Sequence, residues 1–158
     1  MANQDPQPEL YTTRHQFTTA NTAGDIATVS IYTNQANNEE VRIYAIMVDI
    51  LDENGTPVST STSDVDFAVT IQVGPNNIPS NQFDLTTICF RDDKMLTFSA
   101  PILALFQQPL ALAVELKSTT GATLAANRTV VCTLVGELAI QKQYYTQRRA
   151  RRWSVRYK

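Results

Sequence analysis

Residues 66–73 read DFAVTIQV, and large apolar side chains alternate strictly along them with polar or small ones. Successive side chains of a β-strand point to opposite faces of the sheet, so this period of two predicts a half-buried strand. Residues 109–117, PLALAVELK, repeat the pattern after a proline that marks the start. The residues predicted to face the core are Phe67, Val69, Ile71, Val73, Leu110, Leu112, Val114 and Leu116.

Residues 41–51, VRIYAIMVDIL, are apolar on both faces over most of their length. This pattern predicts a central strand that is covered on one side by the core and on the other by a loop or a partner. The strand is expected to stop at Asp52-Glu53-Asn54-Gly55, a turn signal. Gly136, inside the last apolar segment, indicates a bulge. The remaining predicted strands are 10–19, 26–33, 83–90, 94–98 and 129–140.

About eight short strands separated by polar turns, without an amphipathic helix, predict an all-β fold. A chain of 158 residues suits one domain. We therefore expect a single β-sandwich of jelly-roll or Greek-key type, with long crossings between the sheets at 52–65 and 74–82. The predicted division is an N-terminal extension at 1–9, the sandwich at 10–140 and an extended basic C-terminal arm at 141–158.

The charge is divided unevenly along the chain. All fifteen acidic residues lie in 1–140 beside six basic ones, which gives that part a net charge of −9. The last eighteen residues hold seven basic residues and no acidic one, a net charge of +7. An acidic body therefore carries a basic tail. No run of eighteen apolar residues occurs, so no membrane partner is predicted.

The residue types needed for catalysis do not come together in the sequence. His15 is the single histidine and has no neighbouring carboxylate to orient it as a general base. Zinc needs three or four converging ligands, and neither the histidine nor the cysteines are spaced to supply them. No glycine-rich phosphate loop is present. Cys89 and Cys132 are expected to be reduced, packed thiols. We predict no enzyme, no cofactor and no metal.

Two binding alternatives stay open. The first is a calcium site at 49–54, where Asp49, Asp52, Glu53 and Asn54 supply oxygen ligands, although acidic and amide side chains also occur at turns for local reasons. The second is carbohydrate or receptor binding on aromatic platforms, although most of these side chains are expected in the core. The aromatic candidates are Tyr32, Tyr44, Phe90, Phe98 and Phe106.

The C-terminal segment 146–158, TQRRARRWSVRYK, has two parts. Residues 148–152 hold four arginines. Their positive charges repel one another unless negatively charged groups lie nearby and neutralise them. Residues 153–157 alternate apolar and polar side chains and suit a short strand that adds to the edge of a sheet. Nucleic acid and an inert solvated tail are alternatives. We favour an arm that docks on acidic protein. Its residues are Arg148, Arg149, Arg151, Arg152, Trp153, Val155, Arg156 and Tyr157.

The segments VRIYAIMVDILDENG (41–55) and PILALFQQPLALAVELKSTTGA (101–122) resemble small jelly-roll structural proteins of bacteriophage virions. That group includes capsid decoration, cement and head-fibre base proteins. The resemblance implies a non-catalytic protein that forms homo-oligomers and binds other virion proteins, such as capsid or tail subunits. It also implies a location in the virion, with assembly in the host cytoplasm.

Overall fold

The computed structural model describes residues 7–33, 39–58, 65–105, 107–119 and 121–140. These residues form eight β-strands and one short helix. In chain order the elements are β1 (Gln7–Phe17), β2 (Ile26–Thr33), β3 (Glu39–Leu51), β4 (Val65–Val73), β5 (Asn76–Asp84), α1 (Leu85–Cys89), β6 (Met95–Ala104), β7 (Pro109–Thr119) and β8 (Arg128–Ile140).

The strands form two antiparallel sheets of four, in the orders β1-β8-β3-β6 and β2-β7-β4-β5. We call these sheets A and B. Every connection between consecutive strands crosses from one sheet to the other, except the hairpin between β4 and β5. This is the strand order of an eight-stranded jelly roll. The predicted all-β sandwich of jelly-roll type is confirmed.

The core lies between the two sheets and is filled by the inward side of each strand. Along β4 and β7 the residues predicted from alternation are fully or almost fully buried. Sheet A contributes Ile43, Ile46, Val48 and Ile50 from β3, together with Val130, Cys132 and Leu134 from β8. Each of these large side chains, moved from water into the core, contributes roughly 1.5 to 3 kcal/mol.

β3 is an interior strand of sheet A, as its sequence predicts, and it carries an extra residue. The pairing with β8 matches Ile43 to Gly136 and then Ala45 to Val135, so Tyr44 is the unpaired bulge residue. The bulge therefore lies in β3, opposite the glycine that indicated it. On the outer face Met47 is 41% exposed, so the described residues cover that side chain only in part.

Two predictions for the middle of the chain are wrong. Residues 83–90 are not a strand: β5 ends at Asp84 and α1 follows. The Asp84 side chain caps the helix by accepting a hydrogen bond from the Thr87 backbone N–H, and this local cap outweighs the strand preference of the β-branched residues that follow. Residues 74–82 are not a long crossing, because Gly74 (φ +58°) and Pro75 turn the chain directly into β5.

Other boundaries differ by a few residues. β1 begins at Gln7 and ends at Phe17, and β6 extends to Ala104, beyond the predicted 94–98. β2 occupies 26–33 as predicted. Within the described residues, no helix has the length and apolar character needed to span a membrane. The division into extension, sandwich and arm stays a prediction, since 1–6 and 141–158 lie outside the described residues.

Candidate functional site

The residues of the predicted docking arm, from Arg148 to Tyr157, all lie outside the described part of the chain. The structure does describe the end of the sandwich from which this segment continues. β8 ends at Ile140, which pairs with Glu39 at the start of β3, while Leu138 pairs with Gln7 at the start of β1. Any segment that follows Ile140 therefore leaves from this end.

A cluster of two tyrosines and two glutamates lies at this end, where β1 of sheet A faces β2 of sheet B. The rings of Tyr11 and Tyr32 are 5.5 Å apart between centroids and tilted by 44°. Burial raises the pKa of Tyr11 to about 12, and the nearby charges of Glu9 and Glu39 act in the same direction. Burial, Glu39 and Glu9 also raise the pKa of Tyr32. We call these four residues the Glu-Tyr cluster.

A second group of charged residues lies near the same end, on the outer face of sheet A. Arg42 forms ion pairs with Glu40 and with Glu137, the latter at 3.2 Å between Nη1 and Oε1. The Tyr44 hydroxyl donates to Glu137 Oε1 at 2.5 Å. The hydrogen bond to Glu40 is the main cause that raises the pKa of Arg42, and the bond to Glu137 does the same for Tyr44.

These two groups place four glutamates and one arginine around the end of β8. An excess of carboxylates beside tyrosine rings suits a guanidinium group, which forms forked hydrogen bonds with carboxylates and stacks on aromatic faces. Chemically, this end of the sandwich can bind a cationic segment. It has no nucleophile with an orienting base among the residues described here.

The Glu-Tyr cluster was not predicted from sequence, because its members come from three strands that meet only in the folded chain. One signal was present in the sequence. Glu9 and Tyr11 occupy alternate positions of β1 with Thr13, His15 and Phe17, on the side that faces the core. Glu9 is thus a carboxylate at a core-facing position of the alternation, where charged side chains are rare, and this marked it as a candidate site residue.

His15 does not form part of a catalytic arrangement in the described structure. Its ring packs edge-on against Phe17, with 4.8 Å between the centroids. It lies on β1 opposite Val130, an apolar neighbour. The residue therefore has a packing role, in line with the interpretation of a lone histidine in the sequence.

The acidic residues of the calcium alternative are held by local interactions. Asp49 forms an ion pair with Lys94 at 2.5 Å. Asp52 accepts hydrogen bonds from the backbone N–H groups of Asn54 and Thr56, both at 2.8 Å, and so shapes the turn. A shallow pocket beside this turn includes Arg128, a cation. Within the described residues, no three His, Cys, Asp or Glu side chains are grouped to hold a metal ion.

The cysteines and most of the candidate aromatic residues belong to the core. Cys89 and Cys132 are both free thiols and both buried. Tyr32, Phe90 and Phe98 pack against the core cluster. Tyr44 is 37% exposed on the outer face, and Phe106 lies outside the described residues. Three of the five aromatic candidates for sugar binding are therefore explained by packing.

No protein-family model and no curated protein sequence matches the chain. Among solved structures it is similar to a capsid chain of cyanophage Pam1, at 12% identity over 87% of this chain and 89% of that one, with a TM-score of 0.46. The VP2 subviral particle of infectious bursal disease virus matches at 13% identity over 87% and 34% of the two chains, with a TM-score of 0.39.

An insecticidal delta-endotoxin, Cry8Ea1 from Bacillus thuringiensis, matches at 14% identity over 80% of this chain and 19% of the toxin chain, with a TM-score of 0.37. This chain thus spans only part of the VP2 and toxin chains.

Proposed function

We propose that this chain is a non-catalytic structural protein of a virion, which binds neighbouring capsid or tail subunits in a decoration, cement or minor-capsid role. The observation that carries the proposal is the strand order β1-β8-β3-β6 over β2-β7-β4-β5. This jelly-roll order is used by viral capsid domains, and also by lectins and cupins. The features of this particular chain favour the structural role over the other two.

The packing of the side chains supports this choice. A lectin needs exposed aromatic or metal-bound surfaces, whereas Tyr32, Phe90 and Phe98 pack in the core and Asp49 and Asp52 are engaged in an ion pair and a turn. The only histidine packs on Phe17. These side chains therefore stabilise the sandwich itself. This favours a structural protein, which binds its partners through its outer surface.

The proposed binding element is the arm from Arg148 to Tyr157. Its guanidinium groups need carboxylates, and the body of the same protein carries a net charge of −9. The end of the sandwich that β8 reaches holds Glu9, Glu39, Glu40 and Glu137 within two groups of side chains. We propose that the arm binds acidic protein in an adjacent subunit, and that the protein is a homo-oligomer in its assembly.

Deletion of residues 146–158 tests this proposal. We expect the truncated protein to keep the circular dichroism spectrum of the sandwich, because the deletion spares every described strand. The full chain should increase in size with concentration by light scattering, and the truncated chain should not. A truncated chain that still assembles would refute the arm, and a full chain that stays monomeric at every concentration would refute the assembly role.

Contact with nucleic acid is the second candidate, and the arginine run beside Trp153 favours it. Phosphate contacts make affinity fall steeply with salt, and stacking on Trp153 is worth roughly 1 to 3 kcal/mol per base. The two candidates differ in their response to nuclease. Protein docking predicts that assembly survives nuclease treatment, whereas genome contact predicts that assembly is lost and returns when single-stranded nucleic acid is added.

A further inference from the structure

The sandwich has four edge strands among the described residues, and β1 differs from the other three. β5 contains Pro79 and β6 contains Pro101, and a proline removes a backbone N–H that an added strand would need. The pairing of β2 is irregular between Ser30 and Tyr32. β1 pairs with β8 in one unbroken register from Gln7 to Phe17, and no proline occurs after Pro8. Residues 9–17 are therefore a long, regular edge.

The two faces of this edge differ in chemistry. On the outer face Leu10 is 67% exposed, the highest exposure of any large apolar side chain described. On the inner face, one position to either side, are Glu9 and Tyr11 of the Glu-Tyr cluster. The edge of β1 thus presents an apolar side chain on one face and a carboxylate with aromatic rings on the other.

The segment 152–157, RWSVRY, alternates in the complementary way. In an extended conformation Trp153, Val155 and Tyr157 share one face, and Arg152 and Arg156 share the other. A strand that places its apolar face beside Leu10 must therefore place its arginines beside Glu9 and Tyr11. This match follows from the period of two alone and needs no adjustment of the backbone.

We propose that residues 152–157 of a second copy of this chain add as an antiparallel strand to the free edge of β1, with Arg156 opposite Glu9 and Val155 opposite Leu10. This inference rests on the proposed function, since it names the acceptor of the arm. In this register Trp153 lies opposite Thr12 and packs diagonally beside Leu10. Backbone hydrogen bonds supply affinity, and the alternating side chains supply specificity.

The direction of the strands favours a second copy over the chain's own arm. β8 runs antiparallel to β1, and its end lies beside the start of β1. An arm that turned back directly after Ile140 along the far edge of β1 would run parallel to β1, and to pair antiparallel the chain's own arm would first have to extend past the paired residues and then reverse. All six strand pairings described in the two sheets are antiparallel. Antiparallel pairing is also the more stable kind, and an arm from another molecule can adopt it freely.

The first experiment uses charge reversal in the full chain. Glu9→Arg and Arg156→Glu should each weaken self-association by at least about tenfold, because each places two like charges opposite one another. The double variant should recover association, since it restores an opposite pair. Asp92→Arg, an exposed acidic residue in another turn, is the matched control and should associate like the wild type. Sedimentation velocity measures the size, and circular dichroism checks folding.

A mixture of the two single variants tests whether the acceptor is on a second copy. Glu9→Arg has an intact arm and a damaged edge, whereas Arg156→Glu has a damaged arm and an intact edge. Mixed together, they should associate as the wild type does, because each arm then finds an opposite charge on the edge of the other variant, whereas each variant alone pairs like charges. Docking of each arm on its own chain predicts no change on mixing, and that result would overturn the proposal.

A further substitution tests the outer face of β1. Leu10→Asp changes an exposed side chain and should weaken association as Glu9→Arg does, without loss of fold.

A disulfide cross-link tests the register of the two strands. With Leu10→Cys and Val155→Cys in one chain, oxidation should give disulfide-linked dimers on a non-reducing gel, and Arg14→Cys with Val155→Cys should not. Charge reversal of Arg148, Arg149, Arg151 and Arg152 separates the two proposals. If it abolishes association while the β1 variants have no effect, the docking arm is supported and β1 as its acceptor is refuted. A wild-type chain that never associates contradicts both.

Discussion

Gly136 lies where β8 passes closest to the bulge of β3, and this position has no room for a side chain. A Cβ atom there would overlap the carbonyl oxygen of Arg42 and lie 2.9 Å from Cδ1 of Ile43. The neighbour is backbone, which cannot rotate away. The glycine is therefore needed for the close approach of two strands and not for an unusual backbone angle.

We expect Gly136→Ala to lower the free energy of unfolding by about 1 to 3 kcal/mol, because the overlap forces the two strands apart. Gly121→Ala is the matched control. Its added Cβ would meet only the Thr123 carbonyl oxygen at 3.8 Å, so its stability should change little. Urea denaturation of both variants measures the difference, and equal midpoints would contradict the steric argument.

The buried thiol of Cys132 predicts a loss of stability in alkaline solution. Burial raises its pKa from 9.0 to about 12, and the neighbouring Cys89 adds to the effect. From pH 9 upward the unfolded chain therefore releases a proton that the folded chain retains. The unfolded state then binds fewer protons, so the free energy of unfolding falls as pH rises between 9 and 12, by up to about 1.4 kcal/mol per pH unit.

Replacement of the thiol should remove this contribution. We expect Cys132→Ala to show a shallower decrease in the free energy of unfolding between pH 9 and 11 than the wild type, in urea with a reducing agent present. Val130→Ala removes a buried side chain of the same strand without a titratable group and should keep the wild-type slope. Parallel slopes for all three proteins would show that Cys132 does not titrate in this way.

At the scale of elements, the alternation of apolar and polar residues predicted the strands correctly where one face of the strand is buried. β2 occupies the predicted residues, and the inward positions of β4 and β7 follow the alternation of the sequence. α1 was missed because its five residues, LTTIC, include three with a β-branched side chain. What determines the helix is the cap at Asp84 and the burial of Leu85 and Ile88, and such tertiary contacts override local preference.

The cap gives a prediction for this element. We expect Asp84→Ala to lower the free energy of unfolding by about 1 kcal/mol, because its carboxylate accepts hydrogen bonds from the backbone N–H and the hydroxyl of Thr87. Asp84→Asn is the matched control, since asparagine is an equally good cap. Thermal unfolding followed by circular dichroism compares the two. An asparagine variant as unstable as the alanine variant would show that the charge, and not the cap, matters.

At the scale of the whole molecule, the fold class was predictable and the site was not. Alternation and turn residues report which side of a strand is buried, but they do not report which strands are neighbours. β1 and β8 are paired although Thr12 and Thr133, which share a hydrogen bond at 3.0 Å, are 121 positions apart. The Glu-Tyr cluster depends on the same long-range arrangement, so its members could not be grouped before the topology was known.

The division of charge has a structural counterpart at this scale. The basic segment follows the end of β8, and the same end of the sandwich holds two groups of glutamates. Under the docking proposed above, the arm and the edge of β1 are two different surfaces of one subunit, and such heterologous contacts produce head-to-tail filaments or closed rings.

The position of β8 between β1 and β3 governs how the chain reaches its native state. Until residues 128–140 insert, β1 has no neighbour in sheet A and the interior strand β3 has an open side. The partners of β8, which are β1 and β3, are separated from it by most of the sequence. Such a high contact order slows folding. A polypeptide shortened before Arg128 would leave β1 without a partner in sheet A and the apolar strand β3 unpaired on one side, and species with unpaired strand edges aggregate. We therefore expect sheet A to close only when residues 128–140 become available, whatever part of the sandwich has formed before them.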